Sequence, residues 1–162
     1  LCAGNSLAQA AAGKDYAGFH CIPPLSQSHA VELTRGAATS EITAGATAHF
    51  FHALGMHVIW VGDAPGLVLG RIVCQLINEA AFAVQEGVGT PADIDKGVRL
   101  GLNYPRGLLE WADQIGLDQV LATLDALRRE VGGDRYRAAP LLRRMVHDGH
   151  TGQAVSRGFY SY

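Results

Sequence analysis

The segment PGLVLGRIVCQLINEAAFAVQEG, residues 65–87, decides the fold class of this chain. It is long enough for about six helical turns, roughly 30 Å, and apolar residues cover most of its circumference. A membrane span is not expected, because polar residues interrupt the apolar positions at one-turn spacing. These residues are Arg71, Gln75, Asn78 and Glu79. The segment therefore predicts a buried helix, apolar over Leu67–Val84, inside an all-helical region.

Further helices are predicted downstream of this segment. TPADIDKGVRLG, residues 90–101, opens with Thr90 as N-cap, Pro91 in the first helical position and acidic groups in the first turn. Three later segments have apolar residues three and four apart and a glycine at the end. They are GLLEWADQIG (107–116), LDQVLATLDALRREVGG (117–133) and APLLRRMVHDG (139–149).

The first part of the chain has a different pattern. Short runs rich in Val, Ile and aromatic residues, at 16–22, 31–34 and 57–61, predict three strands. Before the third strand, helical spacing predicts a helix with Thr39 or Ser40 as N-cap and Gly55 as the stop. This order is typical of the closing portion of an α/β sheet. We therefore predict two domains, 1–62 with the sheet and 63–162 with the helices.

The composition limits the partners. The 162 residues are 48% hydrophobic and 17% charged, with a net charge of -2, so the chain can bury a core. No cluster of Lys and Arg marks a nucleic-acid surface, and we expect neither nucleic acid nor membrane as a partner. Cys2, Cys21 and Cys74 are too few and too scattered for a disulfide framework and are expected to be small buried hydrophobes. That usage fits the cytoplasm.

Two other motifs are rejected as sites. Gly87-x-Gly89-x-x-Ala92 follows a predicted helix and contains Pro91, so it predicts an interhelical turn and not a dinucleotide cradle. The chain therefore offers no cofactor-binding residues. Two His-x-x-His pairs have no Asp, Glu or Cys at metal-ligand spacing, so they are expected to be surface histidines and no metal site is predicted. The pairs are His49 with His52, which has His57 nearby, and His147 with His150.

His20 and Glu32 each lie on a predicted strand, twelve residues apart. A lone histidine at a strand end is more often a hydrogen-bonded structural group than a catalytic one. From the residues alone, both interpretations stay open.

A series of motifs, in order and at consistent intervals, resembles the 3-hydroxyacyl-CoA dehydrogenase family over essentially the whole chain. They include DYAGFHCIPPL, AVELTRG, GMHVIWVGDAPG, INEA, ADIDKGVRLGLNYPRG, ADQIGL, PLLRRMV and RGFYSY. The stretch 63–162 carries the specific part. The resemblance implies a mainly α fold, a helical bundle of the 6-phosphogluconate dehydrogenase C-terminal-like type after a partial Rossmann-type sheet.

The resemblance also implies residue roles. His20 matches the general base that takes the proton of the substrate hydroxyl while hydride passes to NAD, and Glu32 matches the carboxylate that orients the imidazole. The two side chains are expected within hydrogen-bond reach, about 2.6–3.2 Å, at the mouth of the cleft between sheet and bundle. Asn5 and Ser6 match a serine pair, and Gly70 replaces an asparagine, at substrate-binding positions.

The departures at Asn5, Pro23 and Gly70 resemble the second, partly degenerate repeat of tandem bacterial enzymes. The favoured function is therefore the C-terminal portion of an NAD-dependent enzyme that oxidises (3S)-3-hydroxyacyl-CoA to 3-oxoacyl-CoA in fatty-acid β-oxidation or aromatic-acid breakdown. On this hypothesis the chain contributes acyl-CoA-cleft surface, forms a homodimer through its helices and is inactive alone. The alternative is a non-catalytic helical dimerisation module with an inherited but idle His/Glu pair.

Overall fold

The computed structural model describes residues 4–24 and 28–162, which fall into two compact units, Leu1–Ile72 and Val73–Tyr162. The first unit carries the sheet and the second carries helices, so the predicted fold class is confirmed. The predicted domain boundary after residue 62 stays a prediction.

Three strands form the sheet of the first unit. They are β1 (Ala17–His20), β2 (Ala30–Arg35) and β3 (His57–Trp60), in the order β1-β2-β3. The β1–β2 pair is antiparallel and the β2–β3 pair is parallel. All three lie where the apolar runs predicted them.

The helix α2 (Glu41–Ala53) connects β2 to β3, as the spacing predicted. Its N-cap is Ser40, whose side chain accepts the N–H of Thr43, and Gly55, with φ +75°, follows its end. Val31 and Leu33 of β2 pack with Phe51 of α2 in the core of this unit.

A short helix that the sequence did not predict, α1 (Leu7–Ala10), precedes the sheet. Asp63, distant in sequence, binds its first turn by accepting the N–H groups of Leu7 at 2.6 Å and Ala8 at 2.8 Å. Negative charge at a helix N-terminus is favourable because the free N–H groups concentrate positive potential there. Leu7 also packs on Leu67, which is 1% exposed.

The predicted long helix is α3 (Leu69–Gln85). One of its faces is buried, at Val73, Cys74, Ile77, Asn78, Ala80 and Ala81. The burial of Cys74 raises the pKa of its thiol to about 12, as expected of a cysteine that acts as a small hydrophobe. Cys21 is only half-buried, which departs from that prediction, and Cys2 lies outside the described residues.

In the second unit, side chains of α3 hold the segment before the last helix. The amide of Asn78 donates to the carbonyl of Arg137 at 3.0 Å and accepts the N–H of Ala139 at 2.8 Å. Gln75 donates to the carbonyl of Arg135. The buried amide of Asn78, with both of its functions bonded, specifies one register of this segment.

Four more helices complete the second unit: α4 (Pro91–Leu102), α5 (Leu108–Ile115), α6 (Leu117–Val131) and α7 (Pro140–His147). The start of α4 is confirmed, because Thr90 and Asp93 form a reciprocal capping box and Pro91 follows. A 3-10 turn, Gln153–Val155, was not predicted. The unit buries apolar side chains of α5, α6 and α7, including Leu109, Ala112, Leu117, Val120, Leu124, Leu127 and Leu142. None of the described helices has the length and hydropathy that crossing a membrane requires.

Two aspartates are buried in this unit, and both are fully engaged. Asp95, 2% exposed, accepts the N–H groups of Leu109 at 2.8 Å and Glu110 at 2.9 Å, so it caps α5 from α4. It also accepts the hydroxyl of Tyr160 at 2.8 Å. Burial and the neighbouring Asp95 carboxylate both raise the pKa of the Tyr160 hydroxyl.

Asp113, 1% exposed, binds the last residues of the chain. It accepts the N–H groups of Phe159 and Tyr160, each at 2.9 Å, and the hydroxyl of Tyr162 at 3.1 Å. Burial raises the pKa of Asp113, while these three donors favour its charged form. The carboxylate lies against Gly158, where a Cβ would collide with it.

Gly158→Ala should destabilise the chain, because the added methyl would push the Asp113 carboxylate off its backbone donors. Loss of charge-assisted hydrogen bonds to a buried group costs about 1.5–3 kcal/mol. Gly97→Ala on the exposed face of α4, where a Cβ meets nothing within 4 Å, is the control and should be neutral or stabilising. Urea unfolding checks this, and equal midpoints for the two variants would contradict it.

Candidate functional site

His20 and Glu32 are brought together by the pairing of β1 with β2. The antiparallel register places the two residues directly opposite each other, with both side chains on the same face. They are 6% and 8% exposed, respectively. The sheet therefore sets a buried imidazole beside a buried carboxylate, as the resemblance implied.

The carboxylate of Glu32 binds the start of α3. Both of its oxygens lie 3.0 Å from the backbone nitrogen of Leu69 and accept its N–H. Burial raises the pKa of Glu32, whereas the backbone N–H groups of Leu69 and Val68 oppose that rise. Glu32 is thus a helix-capping group in this structure.

The chain enters α3 through an unusual turn. Gly66 and Leu67 have φ of +69° and +46°, and a positive φ is costly for a residue with a branched side chain such as leucine. The strained conformation directs the first free N–H groups of α3 toward Glu32. Leu67 is held there by burial against Leu7.

The imidazole of His20 lies against the next residue of the same helix, Gly70. A Cβ on Gly70 would be 2.7 Å from Cε1 and 2.9 Å from Nε2 of the ring. Nδ1 of His20 is buried and has no hydrogen-bond partner among the described residues. Burial lowers the pKa of His20 to about 4, so the imidazole is neutral at pH 7.

The predicted hydrogen bond between His20 and Glu32 is wrong for this structure. The two residues face each other in the register, but the carboxylate oxygens accept the N–H of Leu69 and Nδ1 of His20 stays unpaired within the described residues. The physical reason is competition, since the free N–H groups at a helix start attract the same carboxylate. The predicted position at the mouth of a cleft between sheet and bundle stays a prediction.

Of the three predicted substrate-binding residues, Gly70 is the one for which the structure shows a contact with this pair. Gly70 is in contact with His20, as described above. Ser6 is 2% exposed and is the N-cap residue of α1, without a side-chain capping bond, and Asn5 is exposed. Within the described residues, no hydrogen bond joins Ser6 or Asn5 to His20 or Glu32.

The residues present do not provide a dinucleotide cradle. Gly87-x-Gly89-x-x-Ala92 lies between α3 and α4, with Gly87 at φ +72°, and is the interhelical turn that the sequence predicted. It does not follow a strand, which is the geometry that a pyrophosphate needs. This turn is therefore not assigned to NAD phosphates.

The described residues also contain no group of three His, Cys, Asp or Glu side chains that could hold a metal ion. The histidine pairs lie at the surface, where His49, His52 and His147 are exposed and His150 is half-buried.

The backbone N–H of Leu69 is the functional group that sequence reasoning missed. It determines which partner Glu32 takes, yet it lies 37 residues further along the chain. The local signal was a carboxylate between two apolar residues of the same strand, Val31 and Leu33. A carboxylate buried in a sheet needs donors, but the sequence does not say which ones.

Comparison with known proteins agrees with this architecture. Residues 66–162 match the family model described as 3-hydroxyacyl-CoA dehydrogenase, C-terminal domain. The chain is 41% identical to the probable 3-hydroxybutyryl-CoA dehydrogenase of Bacillus subtilis over 145 residues, which are 90% of this chain and 50% of that protein. It is 39% identical to the 3-hydroxybutyryl-CoA dehydrogenase of Bradyrhizobium diazoefficiens, covering 91% of this chain and 50% of that protein.

Among solved structures, the (S)-3-hydroxybutyryl-CoA dehydrogenase of Ralstonia eutropha superposes with a TM-score of 0.83 at 41% identity. The match covers 96% of this chain and 56% of that one. The chain thus spans about half the length of the relatives it matches.

The stability of the chain should fall as the pH drops from about 6.5 to about 4 because of His20. In this window the unfolded imidazole, with a pKa near 6.5, binds a proton that the folded one, with a pKa of about 4, does not bind, so protonation favours unfolding. The loss should approach roughly 3 kcal/mol at most. His20→Gln should remove this part of the pH dependence, since Gln does not titrate.

The measurement is the free energy of unfolding against pH by urea denaturation. Glu32 is present in both chains, so the difference between them isolates His20. His49→Gln, at an exposed site, should keep the pH dependence of the unmodified chain. If the free energy of unfolding of His20→Gln depends on pH as that of the unmodified chain does, the prediction of a buried, neutral His20 is contradicted.

Proposed function

Because the chain belongs to the 3-hydroxyacyl-CoA dehydrogenase family, we propose that it is the C-terminal part of an NAD-dependent enzyme that oxidises (3S)-3-hydroxyacyl-CoA to 3-oxoacyl-CoA. The setting is fatty-acid β-oxidation or aromatic-acid breakdown, in the cytoplasm. Nucleic acid and membranes are not proposed as partners. The observation that carries the proposal is the buried imidazole of His20, which lies opposite Glu32 in the sheet and against the first turn of α3.

His20 is the general base of the proposed reaction. Oxidation of the 3-hydroxyl group removes the proton from its oxygen and a hydride from C3, the carbon that bears it. A neutral imidazole has a free nitrogen lone pair at pH 7 and can take the hydroxyl proton. When bound, NAD supplies the hydride acceptor, and we assign its binding to the part of the relatives that this chain does not span.

Glu32 is the proposed electrostatic partner of His20. Once the imidazole is protonated, the carboxylate opposite it in the register favours the charged form. Its cap on Leu69 also fixes the start of α3, which bears the ring contact at Gly70. Ser6 and Asn5 remain proposed substrate-binding residues, together with Gly70.

A second candidate function is favoured by the missing hydrogen bond between His20 and Glu32. On this alternative the chain is a non-catalytic helical dimerisation module, and the pair is inherited but idle. The departures at Asn5, Pro23 and Gly70 fit the second repeat of a tandem enzyme, where a complete dehydrogenase half would carry the reaction.

In the full-length parent, His20→Gln should lower kcat for 3-hydroxybutyryl-CoA by roughly 10²- to 10⁴-fold, the usual contribution of a general base. NADH formation at 340 nm measures it, with His49→Gln as the matched control that keeps full activity. The 162-residue chain alone should show no turnover, because the described residues offer no dinucleotide cradle. If the His20→Gln parent keeps full activity, the general-base role is wrong and the non-catalytic dimerisation module is the function that remains.

The homodimer is proposed to form through the second unit. The sequence argument assigned this role to the apolar circumference of α3, but one face of α3 is already buried inside the chain. Its other side still exposes Leu69 at 40% and Ile72 at 51%. The most exposed large apolar side chains of the second unit lie on and before α4, namely Val88 at 74%, Leu100 at 77% and Leu102 at 63%. A second copy of this chain is the occupant that we propose, since burial of these side chains is favourable.

Replacing Leu100 and Leu102 together by Lys should shift the chain from dimer to monomer, because two charges would be buried in the interface. Sedimentation equilibrium at micromolar concentration measures the change. Val155→Lys, at another exposed apolar position, should leave the dimer intact. A monomeric unmodified chain would contradict the proposal.

A further inference from the structure

Gly70 is a glycine whose backbone does not require glycine. It lies in the first turn of α3 and is not among the residues with positive φ, so an L-amino acid could adopt its conformation. Glycine is also a poor helix former, because it loses more conformational freedom on folding than any other residue. The missing side chain therefore needs another explanation.

That explanation is the imidazole of His20. All three of the nearest atoms to a Cβ at position 70 belong to this ring, at 2.7 Å for Cε1, 2.9 Å for Nε2 and 3.4 Å for Nδ1. The ring occupies the space where a side chain would be. By contrast, a Cβ on Gly45 in α2 or on Gly97 in α4 would meet nothing within 4 Å.

We infer that Gly70 is a positioning residue for His20: the absence of a side chain at position 70 lets the imidazole lie against the first turn of α3, out of hydrogen-bond contact with Glu32. The inference rests on the proposed function only in that it treats His20 as the base. The contact itself is a property of the folded chain. A side chain at position 70 would set a different ring position.

The ring has one way to avoid such a side chain. His20 is the last residue of β1, and its backbone is held by pairing with Glu32, so we expect the ring to turn about its side-chain bonds. It can turn toward the Glu32 carboxylate or toward solvent. Both positions favour the protonated imidazole, one through an opposite charge and the other through hydration.

The first test is a ¹H–¹⁵N NMR titration of the imidazole in the 162-residue chain between pH 8 and pH 5. The unmodified chain should keep His20 neutral over this range. In Gly70→Ala, the pKa of His20 should rise by about one pH unit or more toward 6.5. Gly45→Ala, the matched helical control, should titrate like the unmodified chain, and an unshifted His20 in folded Gly70→Ala would overturn the inference.

The second test is a double-mutant cycle, which stays informative when Gly70→Ala folds poorly. Gly70→Ala should lower the urea midpoint in the chain that has His20. In the His20→Ala background the same change should leave the midpoint equal or raise it, because the ring is gone and alanine is the better helix former. An equal loss in both backgrounds would overturn the inference.

Neither test needs substrate or NAD. Failure of the positioning role of Gly70 can therefore be distinguished from failure of the catalytic role of His20. If Gly70→Ala shifts the titration while His20→Gln leaves the parent fully active, the positioning stands and the catalytic role fails. If His20→Gln abolishes turnover while the titration and the cycle show no coupling, the base stands and the role of Gly70 fails.

Discussion

The free N–H groups at the start of a buried helix need acceptors, and in this chain carboxylates distant in sequence provide them. Glu32 accepts the N–H of Leu69 at α3, and Asp63 accepts those of Leu7 and Ala8 at α1. In the second unit, Asp95 does the same for α5. Each carboxylate fixes where a helix begins relative to another element of its own unit. At the candidate site, the bond from Leu69 to Glu32 fixes the start of α3 and with it the position of Gly70, whereas strand pairing fixes His20 opposite Glu32.

At the candidate site, the start of α3 gives Glu32 and His20 different charge states. The first turn of α3 holds the Glu32 carboxylate at Leu69 and the His20 ring at Gly70, on consecutive residues. The positive potential of a helix start favours the carboxylate and disfavours an imidazolium. The same turn therefore stabilises a charged Glu32 and a neutral His20. The lowered pKa keeps His20 unprotonated at pH 7 but also makes it a weaker base, and the Glu32 carboxylate opposite it offsets part of the cost of protonation.

Short-range patterns predicted most of the fold, and long-range contacts are what they missed. Thr90 at α4 and Ser40 at α2 mark helix starts through bonds three residues away, so the sequence displays them directly. The bond between Glu32 and Leu69 spans 37 residues and has no periodicity that could reveal it. The facing of His20 and Glu32 was expected from a family resemblance. They do not form a hydrogen bond with each other because the start of α3 binds Glu32. The spacing of residues along the two strands does not predict where α3 begins.

The way Asp113 is satisfied has a consequence for the order of synthesis. Asp113 lies in α5, but its donors, the N–H groups of Phe159 and Tyr160 and the hydroxyl of Tyr162, follow all the described helices. A nascent chain that has completed α7 still carries this buried carboxylate without donors, and an unpaired buried charge opposes compaction. The second unit can therefore close only after residues 159–162 have left the ribosome. A polypeptide that lacks residues 159–162 would thus be open and sensitive to proteases.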